Sequence, residues 1–129
     1  MRVIITGAAG AIGTQAVEEL SDGHELCLID SLPTPDRNSI LADLSARPSP
    51  ARWRRWWKAA GSPQWMERFR DSQVVLHMAV DQRPAFSEGE LLFNNLQMTR
   101  NVMEAAVRHR VPRMVFASSN WAVISHAIP

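Results

Sequence analysis

Residues 2–13 read RVIITGAAGAIG and decide the fold, because a short run rich in β-branched residues leads directly into three evenly spaced glycines. The run at residues 2–6 predicts a buried strand. From Ile12 onward, apolar residues recur at the spacing of one helix face, which predicts a helix that ends at Asp22-Gly23. This strand-turn-helix unit sets the pattern for the rest of the chain.

The remaining sequence repeats the alternation of strands and helices. Further strands are expected at residues 25–29, near 39–42, at 73–80 and at 113–119. A short helix is expected from Ser62-Pro63 to about Arg70. A long amphipathic helix is expected from apolar positions that step by three and four at Leu92, Leu96, Thr99, Met103 and Ala106. Near-continuous apolar strands alternating with helices predict an α/β class, with a parallel sheet covered by helices on both faces.

Length and composition favour a single globular domain over residues 1–129, with 46% hydrophobic and 21% charged residues. The net charge of +1 gives no argument for nucleic acid or a membrane as a partner. Cys27 is the only cysteine, which excludes a disulfide-stapled scaffold and favours a reducing, cytoplasmic location. The sequence contains neither a signal-peptide core nor an apolar run of roughly 18 residues.

The three glycines have distinct expected roles. Gly7 permits a tight turn, Gly10 lets the backbone approach a pyrophosphate, and Gly13 lets helix and strand pack closely. The free N–H groups at the start of the helix, at Ala11 and Ile12, would receive the phosphates. Three glycines at this spacing could also be simple turn residues, but the strand before them and the helix after them favour a dinucleotide site.

An acidic residue at the end of the second predicted strand supports the same interpretation. Asp30 stands where a carboxylate can accept hydrogen bonds from both ribose hydroxyls of adenosine. Its charge would repel a ribose 2′-phosphate, so NAD is favoured over NADP as the cofactor. Arg37 weakens that preference only slightly.

Together these features resemble the extended short-chain dehydrogenase/reductase family, the NAD-dependent epimerases and dehydratases, over essentially all of residues 1–129. The sequence TGAAGAIG at 6–13 resembles the family's TGxxGxxG. The pair Asp43-Leu44 resembles the acidic-hydrophobic pair that contacts adenine in the family.

Two further segments carry the resemblance. The sequence VLHMAV at 75–80 is similar to VxHLAA, which implies that Met78 and Ala79 lie beside the nicotinamide ribose. The sequence NLQMTRN, which begins at Asn95, resembles NxxGTxN with Met98 in place of the usual glycine. Asn95 is therefore a candidate cofactor-site residue, as a proton-relay amide or as a buried, hydrogen-bonded structural amide.

The sequence VFASSNW at 115–121 resembles the family's VFxSS strand in the form found in uronate-dehydrogenase-like members. The resemblance implies a Rossmann-type doubly wound sheet, here truncated after about five strands. It also implies hydride transfer at a sugar carbinol carbon of a nucleotide sugar or sugar acid, with Ser119, or Ser118 in its place, orienting the reacting oxygen. The family's catalytic Tyr-Lys pair is missing, because the chain has no tyrosine and its only lysine is Lys58; we therefore expect the 129-residue chain to be inactive.

Three functions stay under consideration. The first is the NAD-binding portion of an epimerase, dehydratase or sugar dehydrogenase, and the second is a non-catalytic NAD-binding or NAD-sensing module. The third and weakest is a protein that binds nucleic acid or a membrane surface through the basic segment 47–70, which holds four of the five tryptophans. Those tryptophans are more simply explained as a cover for the sheet.

Two expectations concern surfaces and the core. The resemblance implies a homodimer through the helix at 91–109, and an apolar stripe on that helix beside an open sheet edge predicts association. His77 is expected to be a core histidine rather than a metal ligand, because no histidine or cysteine stands at ligand spacing from it.

Overall fold

The computed structural model describes residues 1–34, 39–45 and 64–118, and within these ranges the strands form one parallel sheet. The strands are β1 (Arg2–Thr6), β2 (Glu25–Asp30), β3 (Ser39–Leu41), β4 (Val74–His77) and β5 (Arg113–Phe116). The helices are α1 (Ala11–Leu20), α2 (Glu88–Arg108) and a 3-10 helix (Met66–Phe69). The strand order is β3-β2-β1-β4-β5, and every pairing is parallel, which confirms the predicted α/β class.

Strand β1 is the middle strand of the sheet. Its side chains alternate between the two faces of the sheet. Ile4 packs in one apolar cluster with α2 and the 3-10 helix, whereas Val3 and Ile5 pack in the other with Val17 of α1. Both faces of the sheet are therefore covered, and β1 is apolar at consecutive positions, as expected for a strand buried on both sides.

The apolar stripe of α2 that the sequence picks out is not the face that packs on the sheet. Leu92 and Leu96 are each 62% exposed and Met103 is also exposed, so most of the predicted apolar stripe points away from the sheet. The residues of α2 that are buried are Met98, Asn101, Val102, Ala105 and Ala106. Small residues let the helix approach the sheet closely, and a helix with apolar residues on two faces does not reveal by periodicity which face packs.

Exposed apolar side chains remain on α2 and, within the described residues, on β5 at the edge of the sheet. Val115 and Phe116 of β5 are about half exposed, and β5 pairs with β4 on one side within the described residues. The open edge and the exposed stripe agree with the expectation of such surfaces, while the homodimer stays a prediction.

The predicted helix that ends near Arg70 is shorter than expected in the described part of the chain. A single 3-10 helix spans Met66–Phe69, and the predicted start at Ser62-Pro63 lies outside the described residues. Trp65 and Phe69 are both buried and meet edge to face with ring centroids 5.8 Å apart. Trp65 therefore covers the sheet, whereas the other tryptophans of segment 47–70, which are Trp53, Trp56 and Trp57, lie outside the described residues.

None of the helices in the described ranges has the length and apolar character needed to cross a membrane.

Replacing Phe69 with alanine should lower the free energy of unfolding by about 3–5 kcal/mol, because its ring is completely buried and its loss leaves a cavity. Urea unfolding followed by circular dichroism measures the change. Val107→Ala on the exposed side of α2 is the control and should change the free energy by no more than about 0.5 kcal/mol. Equal effects of the two substitutions would contradict this core.

Candidate functional site

A cleft of about 560 Å³ opens at the carboxyl ends of β1, β2 and β4. Its described walls are the loops that follow the first four strands, together with Met98 of α2. The chain runs outward from β1 to β2 and β3 on one side, then returns to β4 and β5 on the other. The cleft therefore lies where the strand order reverses, which is the usual ligand site of an open parallel sheet.

Gly7 and Gly13 close the turn between β1 and α1. Gly7 has a φ of +75°, and a Cβ atom on it would lie 2.5 Å from the backbone nitrogen of Ala79. A Cβ atom on Gly13 would collide with the carbonyl oxygen of Gly7. Neither position has room for a side chain, and at Gly7, which lines the cleft, the backbone itself forms the surface.

Helix α1 begins directly after this turn and presents unpaired donors at its start. Gly10 is the N-cap residue and makes no side-chain cap bond, and the N–H of Thr14 donates to the Gly10 carbonyl at 2.9 Å. The N–H groups of Ala11, Ile12 and Gly13 precede the first intrahelical bond and carry the positive end of the helix dipole. Gly7 and Gly10 line the cleft, whereas Ala11, Ile12 and Gly13 do not.

Asp30 ties the end of β2 to the glycine turn. Its Oδ2 accepts a hydrogen bond from the N–H of Ala9 at 2.9 Å, and its Oδ1 accepts one from the N–H of Leu32 at 3.0 Å. Asp30 lies at the end of β2 and lines the cleft, and its role in binding a ribose stays a prediction. The bond to Ala9 has no signal in the sequence, because it joins the end of β2 to the turn after β1.

Asp43 and Leu44 form the opposite wall after β3. Asp43 Oδ1 accepts hydrogen bonds from the N–H and the hydroxyl of Ser45, at 2.9 and 2.6 Å. Leu44 is buried, and its carbonyl accepts a hydrogen bond from Asn101 Nδ2 of α2 at 2.7 Å. A side chain of α2 thus holds the backbone of this wall in place.

Met78 and Ala79 follow β4 and also line the cleft. The N–H of Met78 donates to the carbonyl of Thr6 at 3.0 Å, so the chain leaves β4 still bonded to β1. Met98, which stands where the resembling family has glycine, is almost fully buried and contributes an apolar floor between this wall and Leu44.

The side-chain amide of Asn95 forms hydrogen bonds with the backbone and does not face the cleft. Its Oδ1 accepts a hydrogen bond from the N–H of Asp81 at 2.7 Å, and its Nδ2 donates to the Asp81 carbonyl at 3.0 Å. These two hydrogen bonds are those of a structural amide, and a proton-relay role stays a prediction. Asn95 does not line the cleft.

Sequence reasoning missed Asp81 and Arg83, which lie on the wall after β4. The Asp81 carboxylate accepts from Arg83 Nε and Nη2 at 2.8 and 2.6 Å and from Asn94 Nδ2 at 3.1 Å. The Arg83 hydrogen bonds hold the pKa of the Asp81 carboxyl well below its usual range. A carboxylate and a guanidinium two residues apart just after an apolar strand is the signal that would have pointed to them.

His77 is a buried core histidine, as predicted. Its Nδ1 lies 2.6 Å from Thr6 Oγ1 and its Nε2 lies 3.3 Å from Thr99 Oγ1. Burial lowers the pKa of His77 to about 4. Burial also raises the pKa of the Cys27 thiol, which disfavours the thiolate that a nucleophile needs.

Two predicted residues lie outside the described part of the chain, namely the candidate catalytic Ser119 and the cation Arg37. Ser118 is the last residue described before Ser119 and is exposed after the end of β5. In residues 1–34, 39–45 and 64–118, no group of three or more histidine, cysteine, aspartate or glutamate side chains is arranged to hold a metal ion.

The chain matches the model of the NAD dependent epimerase/dehydratase family over residues 3–125. It is 28% identical to an L-arabinose 1-dehydrogenase (NAD(P)(+)) of Haloferax volcanii over 92% of this chain and 41% of that enzyme. It is 29% identical to an NAD-dependent glucose-6-phosphate dehydrogenase of the same organism, over 94% of this chain and 44% of the relative. The chain thus spans less than half the length of these relatives.

Solved structures agree with the sequence comparison. MoeE5, solved in complex with UDP-glucuronic acid and NAD, is 31% identical, with a TM-score of 0.69 over 92% of this chain and 37% of MoeE5. A mutated uronate dehydrogenase is 25% identical, with a TM-score of 0.68 over 92% of this chain and 39% of that enzyme.

Replacing Gly13 with alanine should disrupt the turn, because the new methyl group would collide with the Gly7 carbonyl. We expect a loss of at least about 2 kcal/mol in the free energy of unfolding. Gly89→Ala is the matched control, since a Cβ atom there meets open space, and it should be neutral or slightly stabilising. Urea unfolding compares the two, and a neutral Gly13→Ala would contradict the close packing of α1 on β1.

The lowered pKa of His77 predicts a loss of stability in mild acid. In the unfolded chain His77 has a pKa near its usual 6.5 and is protonated below about that pH. In the folded chain it stays neutral down to about pH 4. The free energy of unfolding should therefore fall by about 2 kcal/mol from about pH 7 to about pH 5. Urea unfolding across this range measures the change. In His77→Gln the dependence should vanish, and in the control His24→Gln it should persist; an equal slope in both variants would refute the assignment.

Proposed function

The chain belongs to the NAD dependent epimerase/dehydratase family, and from this premise we propose that its cleft binds NAD as the cofactor-binding part of a sugar dehydrogenase or epimerase. The observation that carries the proposal is the coincidence, at the point where the strand order reverses, of a tight glycine turn, a helix N-terminus and the carboxylate of Asp30.

The cleft residues fit a dinucleotide. The pyrophosphate would lie against Gly10 and the first N–H groups of α1, where the backbone presents donors and no side chain intervenes. Asp30 would accept the hydroxyls of the adenosine ribose. Leu44 would contact the adenine and Ala79 the nicotinamide ribose, since both line the same cleft.

We propose NAD rather than NADP as the cofactor. The Asp30 carboxylate faces the cleft at the end of β2, where a 2′-phosphate would bring negative charge against it. MoeE5 was solved with NAD, and the L-arabinose dehydrogenase carries both NAD and NADP in its name.

The reaction proposed for the complete enzyme is hydride transfer at a sugar carbinol carbon, with a nucleotide sugar or a sugar acid as substrate. When bound, NAD accepts the hydride. Ser119 would donate a hydrogen bond to the reacting oxygen. The 129 residues contain no tyrosine to serve as the family's proton acceptor, so we propose that they bind NAD without turnover.

The second candidate, an NAD-binding module without chemistry, requires only the cleft residues described above. For either function we propose a cytoplasmic location, in keeping with the single cysteine thiol. We also propose a homodimer through the helix at 91–109, supported by the exposure of Leu92, Leu96 and Met103.

Thermal unfolding of the chain with NAD, and separately with NADP, tests the proposed binding. A ligand bound only by the folded state stabilises it by about 2.7 kcal/mol at a hundredfold excess over Kd, so NAD should raise the unfolding midpoint more than NADP does. Asp30→Asn should weaken NAD binding roughly tenfold and narrow the preference for NAD over NADP.

Asp22→Asn removes an exposed carboxylate outside the cleft and is the matched control, with an NAD response equal to that of the unsubstituted chain. A midpoint that responds to neither dinucleotide would refute the proposed function.

A further inference from the structure

We propose that Asp81 is a positioning residue for dinucleotide binding, which holds the loop after β4 as a preformed wall of the cleft and fixes Arg83 at its rim. The loop runs from the end of β4 to the N-cap of α2, over residues 78–87, and its first six residues line the cleft. The inference rests on the proposed function, because it assigns a role in binding the same cofactor.

The Asp81 side chain is the centre of this wall. Only 5% of it is exposed, and its carboxylate accepts two hydrogen bonds from the Arg83 guanidinium, one from the Arg83 N–H at 3.2 Å and one from Asn94. Its own N–H and carbonyl are both bound by the amide of Asn95. One residue therefore joins the loop to two successive positions of α2.

Arg83 is held on a second side as well. Its guanidinium lies 4.4 Å from the ring centroid of Phe86, and Phe86 donates its N–H to the Arg83 carbonyl at 3.2 Å. The bidentate pairing with Asp81 and the stacking on Phe86 fix the plane of the cation, although its side chain is 62% exposed.

The charges that line the cleft affect how an anionic ligand binds beside the Asp81–Arg83 pair. Among the described residues that line the cleft, Asp30, Asp43 and Asp81 are acidic and Arg83 is the cation. A dinucleotide brings a negatively charged pyrophosphate into this surface. The pairing neutralises Asp81 within the wall and keeps the wall ordered before the ligand arrives, so that binding does not have to order the loop.

Positioning and simple charge predict opposite results for Asp81→Asn. Removing a negative charge from the cleft should tighten the binding of an anion if only charge matters. If Asp81 positions the wall, the loss of one carboxylate oxygen breaks the fork with Arg83, and NAD binding should weaken, by roughly tenfold.

Arg83→Lys gives an independent test with an exposed side chain, whose replacement leaves the core intact. Lysine keeps the charge but cannot make the planar two-bond contact with a carboxylate. Positioning therefore predicts weaker NAD binding, by roughly threefold to tenfold, although the net charge is unchanged.

The experiment is calorimetric titration of NAD into the unsubstituted chain and both variants, below their unfolding midpoints, with hydrogen–deuterium exchange of residues 78–87 without ligand. Arg100→Gln is the matched control, because it breaks an ion pair of α2 at 3.0 Å that lies outside the cleft, and it should leave the Kd for NAD unchanged. The expected result is a higher Kd in both variants and faster exchange of the loop amides. A purely structural role would lower the unfolding midpoint without changing the Kd.

An unchanged or lower Kd in Asp81→Asn and Arg83→Lys, with NAD binding intact in the unsubstituted chain, would overturn this inference and leave the proposed function standing. Failure of the unsubstituted chain to bind NAD would overturn both.

Discussion

The contact between the turn after β1 and the start of the loop after β4 is the constraint on which the rest of the site depends. At Gly7 the backbone passes so close to Ala79 that a Cβ atom would lie 2.5 Å from its nitrogen. Strand β1 lies between β2 and β4, and the chain leaves it through Gly7, whose φ of +75° is one that glycine adopts most readily. The start of α1 and the floor of the cleft follow from that exit.

Polar side chains from neighbouring elements hold the walls of the cleft. Asp30 binds the glycine turn, Asn101 binds the loop after β3, and Asn95 binds the loop after β4. In each case the side chain forms a hydrogen bond with the backbone of a different loop. A buried backbone group needs such a partner, so the same bonds that stabilise the loops also fix the shape of the cleft before any ligand binds.

The sequence predicts those features that depend on neighbouring residues. The alternation of strands and helices follows from local periodicity, and the placement of Asp30 follows from the end of a strand. The packing face of α2 does not follow, because Leu96 and Val102 are both apolar and only the partner surface decides which is buried. The contacts of Asp81 with Asn94 and Asn95 join residues 13 and 14 positions apart, which become neighbours only after the loop has closed on the helix.

The parallel pairing of β1 with β4 has a consequence for synthesis. Val3 is paired with Val74, so the central strand leaves the ribosome about 70 residues before its partner. At the usual rate of translation the delay is about 4–14 seconds. For that time one edge of the central strand lacks its neighbour, and the pairing of β1 with β2 does not cover that edge. A slow step in translation between these two strands would lengthen the exposure and favour aggregation of the nascent chain.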